Sequence, residues 1–164
     1  MRPQPSGTAD KFPLSRCGIY CGACYVYRAE RDCGEFIREV AGWQKVDLNE
    51  VRCNSCFAVD EEKWPNCRQC NIKYCIEEKG YVYCHECDKF WDYSCEQFNN
   101  LEAFCSKREE AIKENLIKIM IDASKWLEEQ KKKWRCSSCG KPYSWYEEIC
   151  HHCGKKLNRS DLRH

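Results

Sequence analysis

The stretch CGIYCGAC, residues 17–24, contains three cysteines in the spacing C-x-x-x-C-x-x-C. Three thiolates at this spacing bind three irons of a [4Fe–4S] cluster in radical S-adenosylmethionine enzymes and leave the fourth iron open. The same residues could also form half of a zinc site. The rest of the chain must therefore decide between an iron–sulfur enzyme and a metal-stabilised scaffold.

Cysteine is unusually abundant, with 17 of the 164 residues. The first residues contain no apolar stretch of signal-peptide length, so we expect a cytoplasmic protein whose thiols bind metal rather than form disulfides. No window approaches the roughly 18 apolar residues of a membrane span, and we expect no membrane contact. Repeated C-x-x-C pairs are typical of tetrahedral thiolate sites. The pairs are Cys21/Cys24, Cys53/Cys56, Cys67/Cys70, Cys84/Cys87, Cys136/Cys139 and Cys150/Cys153.

The aliphatic content is low for a protein of this length. Leu, Ile, Val and Phe together make up 28 residues, below the roughly 20% of the chain that a self-sufficient core requires. Metal ligation is therefore expected to supply much of the folding free energy. The predicted fold class is a small, metal-stabilised α+β protein. It combines an irregular multi-zinc, cysteine-rich module with a long amphipathic helix and a C-terminal zinc ribbon.

Composition changes along the chain suggest where these parts begin and end. We predict a flexible leader at 1–13, a cysteine-rich multi-metal module at 14–105, a long helix at 106–133, a zinc ribbon at 134–157 and a loose tail at 158–164. The leader holds three Pro, which disfavour regular structure.

Two segments carry helix signals. In DCGEFIREVAGWQK, Asp32 and Glu35 have the spacing of a capping box, and Ser106 and Glu109 repeat that spacing before the long helix. Apolar residues of the long helix recur at three- and four-residue steps: Ile112, Leu116, Ile119, Met120, Ala123, Trp126 and Leu127. We expect this stripe to pack on the first module. A partner-binding face is the alternative.

The C-terminal cysteines form the clearest metal site. Cys136, Cys139, Cys150 and Cys153 have the spacing of a four-cysteine zinc ribbon, and a glycine after each pair permits the positive φ of a knuckle turn. The stretch PYSWYEE between the pairs suits a hairpin. His151 and His152 lie inside the second knuckle, where we expect them to be exposed rather than to ligate metal. Such a closed site stabilises a fold and does not catalyse.

The first module offers more cysteines than spacing alone can group. The candidate ligands are Cys17, Cys21, Cys24, Cys53, Cys56, Cys67, Cys70, Cys75, Cys84, Cys87 and Cys95. One partition joins Cys21/Cys24 to Cys53/Cys56, places Cys70, Cys75, Cys84 and Cys87 together, and completes a third site from Cys17, Cys67 and Cys95 with Cys33 or Cys105. Cys33 and Cys105 lie beside predicted helix starts. They are the first candidates for free, reactive thiols, with small buried side chains as the alternative. His85 is expected to face solvent.

In combination, the stretches CGIYCGACYVYRA, CNSC, CNIKYCIEEKG and CHEC resemble the cysteine-rich prokaryotic family catalogued as the domain of unknown function numbered 3795. The continuation is similar to longer members that append a helix and a zinc ribbon. The resemblance implies zinc and no established activity, and leaves Cys33 and Cys105 outside the pattern. Metal binding is implied for Cys17, Cys21, Cys24, Cys53, Cys56, Cys70, Cys75, Cys84, Cys87 and Cys95. Members are frequent in anaerobic prokaryotes, which keeps iron–sulfur chemistry open.

Charge is divided unevenly along the chain. Residues 131–164 hold nine Lys/Arg and three Asp/Glu, whereas residues 1–130 hold 18 Lys/Arg and 23 Asp/Glu. We expect the acidic body to bind a protein partner. Nucleic acid is a second partner class, through the basic residues Lys131, Lys132, Lys133, Lys155 and Lys156.

Three function classes remain. The first is a non-catalytic zinc-binding scaffold or adaptor with about three to four zinc ions, and the absence of a recognisable catalytic set favours it. The others are an iron–sulfur redox protein and a metal-handling accessory protein of anaerobic metabolism. A radical enzyme is disfavoured because its barrel needs about 200 residues or more in βα units, and no such repeat occurs.

Overall fold

The computed structural model describes residues 13–157. The predicted tail at 158–164 and the predicted leader, apart from Pro13, lie outside the described residues. The helices are α1 (Tyr25–Asp32), α2 (Gly34–Gln44), α3 (Pro65–Arg68), α4 (Asn71–Glu78), α5 (Asp88–Trp91), α6 (Glu96–Ser106) and α7 (Ile112–Lys133). Short 3-10 turns lie at Cys21–Ala23, Leu48–Glu50, Asp60–Glu62 and Cys84–Glu86.

Extended structure is scarce. Within residues 13–157 it is limited to two isolated antiparallel bridges, Arg135 with Pro142 and Ile149 with Lys156. The protein is therefore mostly helical, and the α+β class predicted from the sequence is not confirmed. Within the same residues, no helix combines the length and apolar character that crossing a membrane requires.

Two hydrophobic clusters hold the helices together. The larger surrounds α7, where Ile112, Leu116 and Trp126 are almost fully buried, and it reaches Phe98 of α6 and Trp145 of the C-terminal segment. The smaller lies between α1, α2 and the chain that follows them: Val26, Ala29, Phe36, Val40, Ala41, Val51, Cys53 and Trp64. Cysteines belong to or pack against both clusters, so thiols contribute to each part of the core.

The helix predicted over residues 106–133 is shorter and interrupted. Ser106 ends α6, where its Oγ donates to Glu102 O at 2.7 Å, and Glu109 has a positive φ of 65° in the turn before α7. The second predicted capping box is therefore wrong. Within α7, Asp122 leaves helical geometry (φ −156°) and its Oδ1 accepts from Lys125 N at 3.0 Å, so it caps the second half of the helix.

The first predicted capping box is also wrong. Asp32 is the last residue of α1, and Cys33, with a φ of 53°, turns the chain into α2. Glu35 pairs instead with Arg38 at 3.0 Å on the surface. Because the chain turns at Cys33, the Asp32 carboxylate does not cap α2 and can contact another part of the chain.

The loop that carries the first cysteines lies directly against α7. Gly18 has a φ of +90°, and a Cβ there would collide with Ile112 O and stand 2.9 Å from Leu116 Cγ. Asn115 fixes the approach because its Nδ2 donates to Gly18 O at 2.9 Å while its Oδ1 accepts from Trp126 Nε1 at 3.1 Å. These contacts hold the segment that begins at Cys17 against the longest helix.

The Gly18→Ala variant should lose at least about 2 kcal/mol of folding free energy, because it adds both a steric collision and left-handed backbone strain. We expect the thermal unfolding midpoint of the metal-loaded protein to fall by about 5 °C or more. The matched control is Gly42→Ala in α2, where a Cβ meets nothing within 4 Å. An equal midpoint for the two variants would contradict the proposed role of this contact.

Candidate metal centres

The C-terminal segment folds into two nearly identical knuckles. Gly140 N donates to Cys136 O and Gly154 N donates to Cys150 O, each at 2.8 Å. The φ angles of the two glycines are 70° and 71°. The positive φ predicted after each cysteine pair is thus confirmed. Each knuckle closes its own short bridge, so the single hairpin predicted between the pairs is replaced by two.

The two knuckles bring their four thiols together. Cys136 Sγ lies 3.8 Å from Cys153 Sγ, and Cys139 Sγ lies 3.8 Å from Cys150 Sγ. All four sulfurs are within 4.8 Å of one another, so the group could hold a metal ion. Backbone N–H groups of Cys139 and Ser138 donate to the Cys136 sulfur and lower the pKa of that thiol to about 7, which favours the thiolate that metals bind.

The knuckles share a core with the rest of the protein. Trp145 N donates to Ala23 O, the last carbonyl of the Cys21–Ala23 turn, at 3.0 Å, and Tyr143 N donates to Trp134 O at 3.1 Å. The indoles of Trp134 and Trp145 are both buried in the larger hydrophobic cluster. A metal held by the knuckles therefore also stabilises the packing around α7.

The second knuckle is tied to α1 through its histidines. His151 Nε2 lies 2.8 Å from Asp32 Oδ2, and His151 Nδ1 lies 2.6 Å from Glu147 Oε1. His152 Nε2 is 3.2 Å from the same Asp32 oxygen, and the His151 ring stacks on Phe36 at 4.0 Å. The prediction that these histidines are exposed is wrong, since their side chains are only 10% and 17% exposed.

Charge explains why this contact holds. Burial disfavours the imidazolium, but the hydrogen bonds with Asp32 and Glu147 outweigh it and raise the pKa of His151 to about 9. Burial likewise opposes ionisation of Asp32, yet the bond from His151 and the charge of Arg28 lower the pKa of that carboxyl. Asp32, His151 and His152 form the second group whose ligand atoms could meet a metal. Because both His151 nitrogens already face carboxylates, we interpret the group as an ionic tether.

The first-module thiols surround two cavities. The larger, about 200 Å³, is lined by Cys17, Cys21, Cys24, Cys53, Cys56, Cys67 and Cys70. The smaller, about 30 Å³, is lined by Cys75, Cys84, Cys87 and Cys95. Spacing suggests Cys70 as the partner of Cys75, Cys84 and Cys87, but the structure places Cys95 with these three instead. Cys67, which spacing assigns to a third site, lines the larger cavity together with the Cys21/Cys24 and Cys53/Cys56 pairs.

Electrostatic neighbours divide the seven thiols of the larger cavity further. Burial raises the pKa of Cys21 strongly, and the neighbouring thiolates of Cys56 and Cys53 add to it. The pKa of Cys24 is raised to about 11 by burial, with Cys53 as its charged neighbour. A hydrogen bond from the Cys67 thiol lowers the pKa of Cys53 to about 6. Cys24, Cys53 and Cys67 therefore influence one another, as do Cys17, Cys56 and Cys70, and Cys21 lies between the two sets because its charged neighbours belong to both.

Three single residues also differ in their surroundings. Cys33 is exposed at the start of α2, whereas Cys105 is buried near the end of α6 rather than at a helix start. Burial raises the pKa of Cys105 to about 12, which opposes reactivity. His85 is half-buried and stacks on Tyr83 at 5.3 Å, so it does not simply face solvent.

Sequence analysis missed Asp32 as a partner of the second knuckle, because that contact spans 119 residues.

Comparison with known proteins identifies one family. The sequence model of a family described as a protein of unknown function, DUF3795, matches residues 13–100. The family resemblance inferred from the cysteine stretches is confirmed, and α7 and the two knuckles lie beyond the matched range. Neither the search of curated proteins nor the search of solved structures found a match.

The Cys139→Ser variant should bind one metal equivalent less than the wild-type protein, because it removes one of four ligands from the C-terminal group. Metal content after gel filtration, measured by mass spectrometry, tests this. Loss of the ion should also red-shift the tryptophan fluorescence as Trp134 and Trp145 become exposed. Cys33→Ser, which alters an exposed thiol away from both cavities, should leave both measurements unchanged. Full metal content in Cys139→Ser would contradict the assignment.

The Asp32→Asn variant tests the tether between α1 and the second knuckle. It removes the carboxylate that faces both histidines, and we expect a loss of about 1–3 kcal/mol in folding free energy, measured by denaturant unfolding. Glu35→Gln is the control: it removes one partner of an exposed ion pair, and its effect should stay within about 0.5 kcal/mol. Indistinguishable unfolding curves for the two variants would show that the tether contributes no stability.

Proposed function

The chain belongs to the DUF3795 family of proteins of unknown function, and we propose that it is a non-catalytic, zinc-stabilised scaffold. Its proposed binding partner is a basic segment of another protein. The observation that carries the proposal is an open cleft between α2 and the second knuckle, lined by aromatic and acidic side chains. Zinc at the C-terminal thiols would hold one wall of this cleft in place.

Zinc suits the C-terminal thiols in number and spacing. Four sulfurs bound to zinc at about 2.3 Å in a tetrahedron stand about 3.8 Å apart, and the two measured sulfur separations are both 3.8 Å. Four protein ligands leave no position for water or substrate. The proposed role of the ion is therefore structural. This agrees with the burial of Trp134 and Trp145 in the same hydrophobic cluster as Cys136 and Cys150.

The cleft is large enough for a peptide side chain and its neighbours. Its volume is about 490 Å³, and Tyr25, Phe36, Trp43 and Tyr146 form its aromatic wall. Trp43 is 58% exposed and Ile149 is 60% exposed. Exposed large apolar side chains gathered in one concave surface are typical of binding sites rather than of ordinary protein surface.

Charge favours a cationic occupant. Glu39 and Glu148 also line the cleft, as does Glu35, which already pairs with Arg38, and residues 1–130 as a whole carry five more acidic than basic side chains. Aromatic faces attract Lys and Arg through cation–π interactions. One face of Tyr146 already receives such a contact, because Arg108 Cζ lies 5.1 Å from its ring centroid. A Lys or Arg of the partner would be held by Trp43 and the glutamates.

The basic surface gives weaker support to nucleic-acid binding. Lys131 pairs with Glu128 at 2.9 Å, and Lys133 donates to Glu109 O at 2.6 Å from a half-buried position. Two of the five lysines predicted to contact phosphates are therefore engaged within the protein. Lys132, Lys155 and Lys156 remain exposed, so nucleic acid is kept as the competing outcome of the test.

Binding of fluorescent arginine-rich and glutamate-rich peptides of equal length would test the proposal. The wild-type protein should bind the arginine-rich peptide and not the glutamate-rich one. Trp43→Ala should weaken that binding by about tenfold, because exposed aromatic side chains contribute most of the binding energy at such interfaces. Trp91→Ala is a matched control, because Trp91 is an exposed tryptophan on α5, away from the cleft. Binding that survives Trp43→Ala would overturn the proposal. Binding of RNA or DNA that is lost on changing Lys155 and Lys156 to Glu would favour the alternative partner.

A further inference from the structure

A pocket lined by positive charge lies between α1 and the first knuckle, residues 135–142. Its volume is about 380 Å³, and the Cys21 turn and the end of α7 complete its walls. Among the described residues that line it there are four cationic side chains and no Asp or Glu: Arg28, Arg31, Lys131 and Arg135. Lys131 is already paired with Glu128 at 2.9 Å. This basic pocket shares no lining residue with the acidic cleft, so it is a separate site.

Neutral groups hold two of the three arginines in position. Arg31 Nη2 donates to Asn54 Oδ1 at 2.8 Å, and the Arg31 guanidinium lies 3.4 Å from the centroid of the Tyr27 ring. Arg135 Nη1 donates to Gly140 O at 2.8 Å. Such contacts fix the orientation of a guanidinium group but leave its charge uncompensated. Arginines held in this way lose little side-chain entropy when an anion binds.

The carboxylates nearest the arginines compensate their charge only in part. Glu30 Oε2 lies 3.4 Å from Arg31 Nη1, and both side chains are about a third exposed, so solvent weakens this pair. Asp32 Oδ2 lies 3.9 Å from Arg28 Nε, and the same oxygen faces both histidines of the second knuckle. Arg28 Nε is buried without a hydrogen-bond partner among the described residues. A buried donor without an acceptor costs free energy.

Tyr20 marks the place where two of the arginines converge. Burial raises the pKa of the Tyr20 hydroxyl, and the nearby charges of Arg28 and Arg135 oppose that rise. One guanidinium therefore approaches the phenol from α1 and the other from the first knuckle. Gly22 makes room for this arrangement, because a Cβ there would stand 2.5 Å from Tyr20 Oη. The phenol and the arginines thus line one pocket from different sides.

We propose that this basic pocket binds the phosphate group of a small phosphate monoester. Guanidinium groups donate paired hydrogen bonds to phosphate oxygens, and arginines on two separate elements suit a tetrahedral dianion better than a planar carboxylate. The volume of about 380 Å³ falls in the range of about 300–1,000 Å³ that is usual for ligand pockets. A phosphate group fills only part of it, which leaves room for a sugar or nucleoside.

Calorimetric titration of the metal-loaded full chain is the test, at about 150 mM KCl so that weak surface attraction is screened. The probes are ribose 5-phosphate and adenosine monophosphate, with ribose and succinate as controls. We expect a phosphate probe to bind with a dissociation constant below about 1 mM and the controls not to bind. Their order of affinity distinguishes a sugar phosphate from a nucleotide. No saturable binding of either phosphate probe, or equal binding of succinate, would overturn the proposal.

Three arginine variants connect the binding to this pocket. Arg28→Gln and Arg135→Gln should each weaken phosphate binding by about tenfold, because each removes a guanidinium charge from the lining. Arg38→Gln is the matched control, since Arg38 is an arginine on α2 that pairs at the surface with Glu35. Unchanged affinity in both pocket variants, or an equal loss in the control, would contradict the assignment.

Two further variants keep the result independent of folding and of the proposed scaffold role. Arg135→Gln also loses the donor to Gly140 O, so its thermal unfolding midpoint is measured beside the wild type. If it does not fold, Arg135→Lys replaces it, which keeps the charge but not the paired donors and should weaken binding less. Trp43→Ala, which alters the acidic cleft, should bind the phosphate probe as tightly as the wild type. Failure of the peptide-binding proposal therefore leaves this one measurable.

Discussion

The close approach of Gly18 to Ile112 determines how the rest of the protein is arranged. Because no side chain separates them, the loop that carries Cys17 and Cys21 lies directly on α7, with Asn115 donating to Gly18 O at 2.9 Å. The thiols of that loop are thereby held beside the larger hydrophobic cluster, and the Cys21 turn offers the carbonyl of Ala23 to the C-terminal segment. Helix, cysteine loop and knuckles thus share one core.

The cysteines are arranged around this core in two different ways. The C-terminal four form a compact group whose 3.8 Å sulfur separations suit one ion, and that ion would act like a covalent cross-link between two short knuckles. The first-module thiols surround larger spaces between helices that carry few aliphatic side chains. In a chain with so little Leu, Ile, Val and Phe, a bound metal would replace part of the side-chain packing that a larger core would supply.

The ionic tether links the two halves and shapes the proposed binding cleft. Asp32 at the end of α1 and Glu147 in the C-terminal segment hold His151 between them, and the ring of His151 stacks on Phe36 of α2. The same contacts set the distance between α2 and the second knuckle, which form the two walls of the cleft. If the cleft binds a partner as proposed, the stability of the C-terminal knuckles and the recognition of that partner would be coupled through these side chains.

Local spacing in the sequence was enough to determine the two knuckles and their four thiols, because ligands and turn glycines lie within four residues of each other. Family membership also followed from cysteine spacing. Tertiary structure alone decided the break before α7, the grouping of the first-module thiols and the partnership of Asp32 with His151, which are 119 residues apart. The reason is physical: capping and knuckle signals act over one turn, whereas distant thiols and charges meet only after the helices have packed.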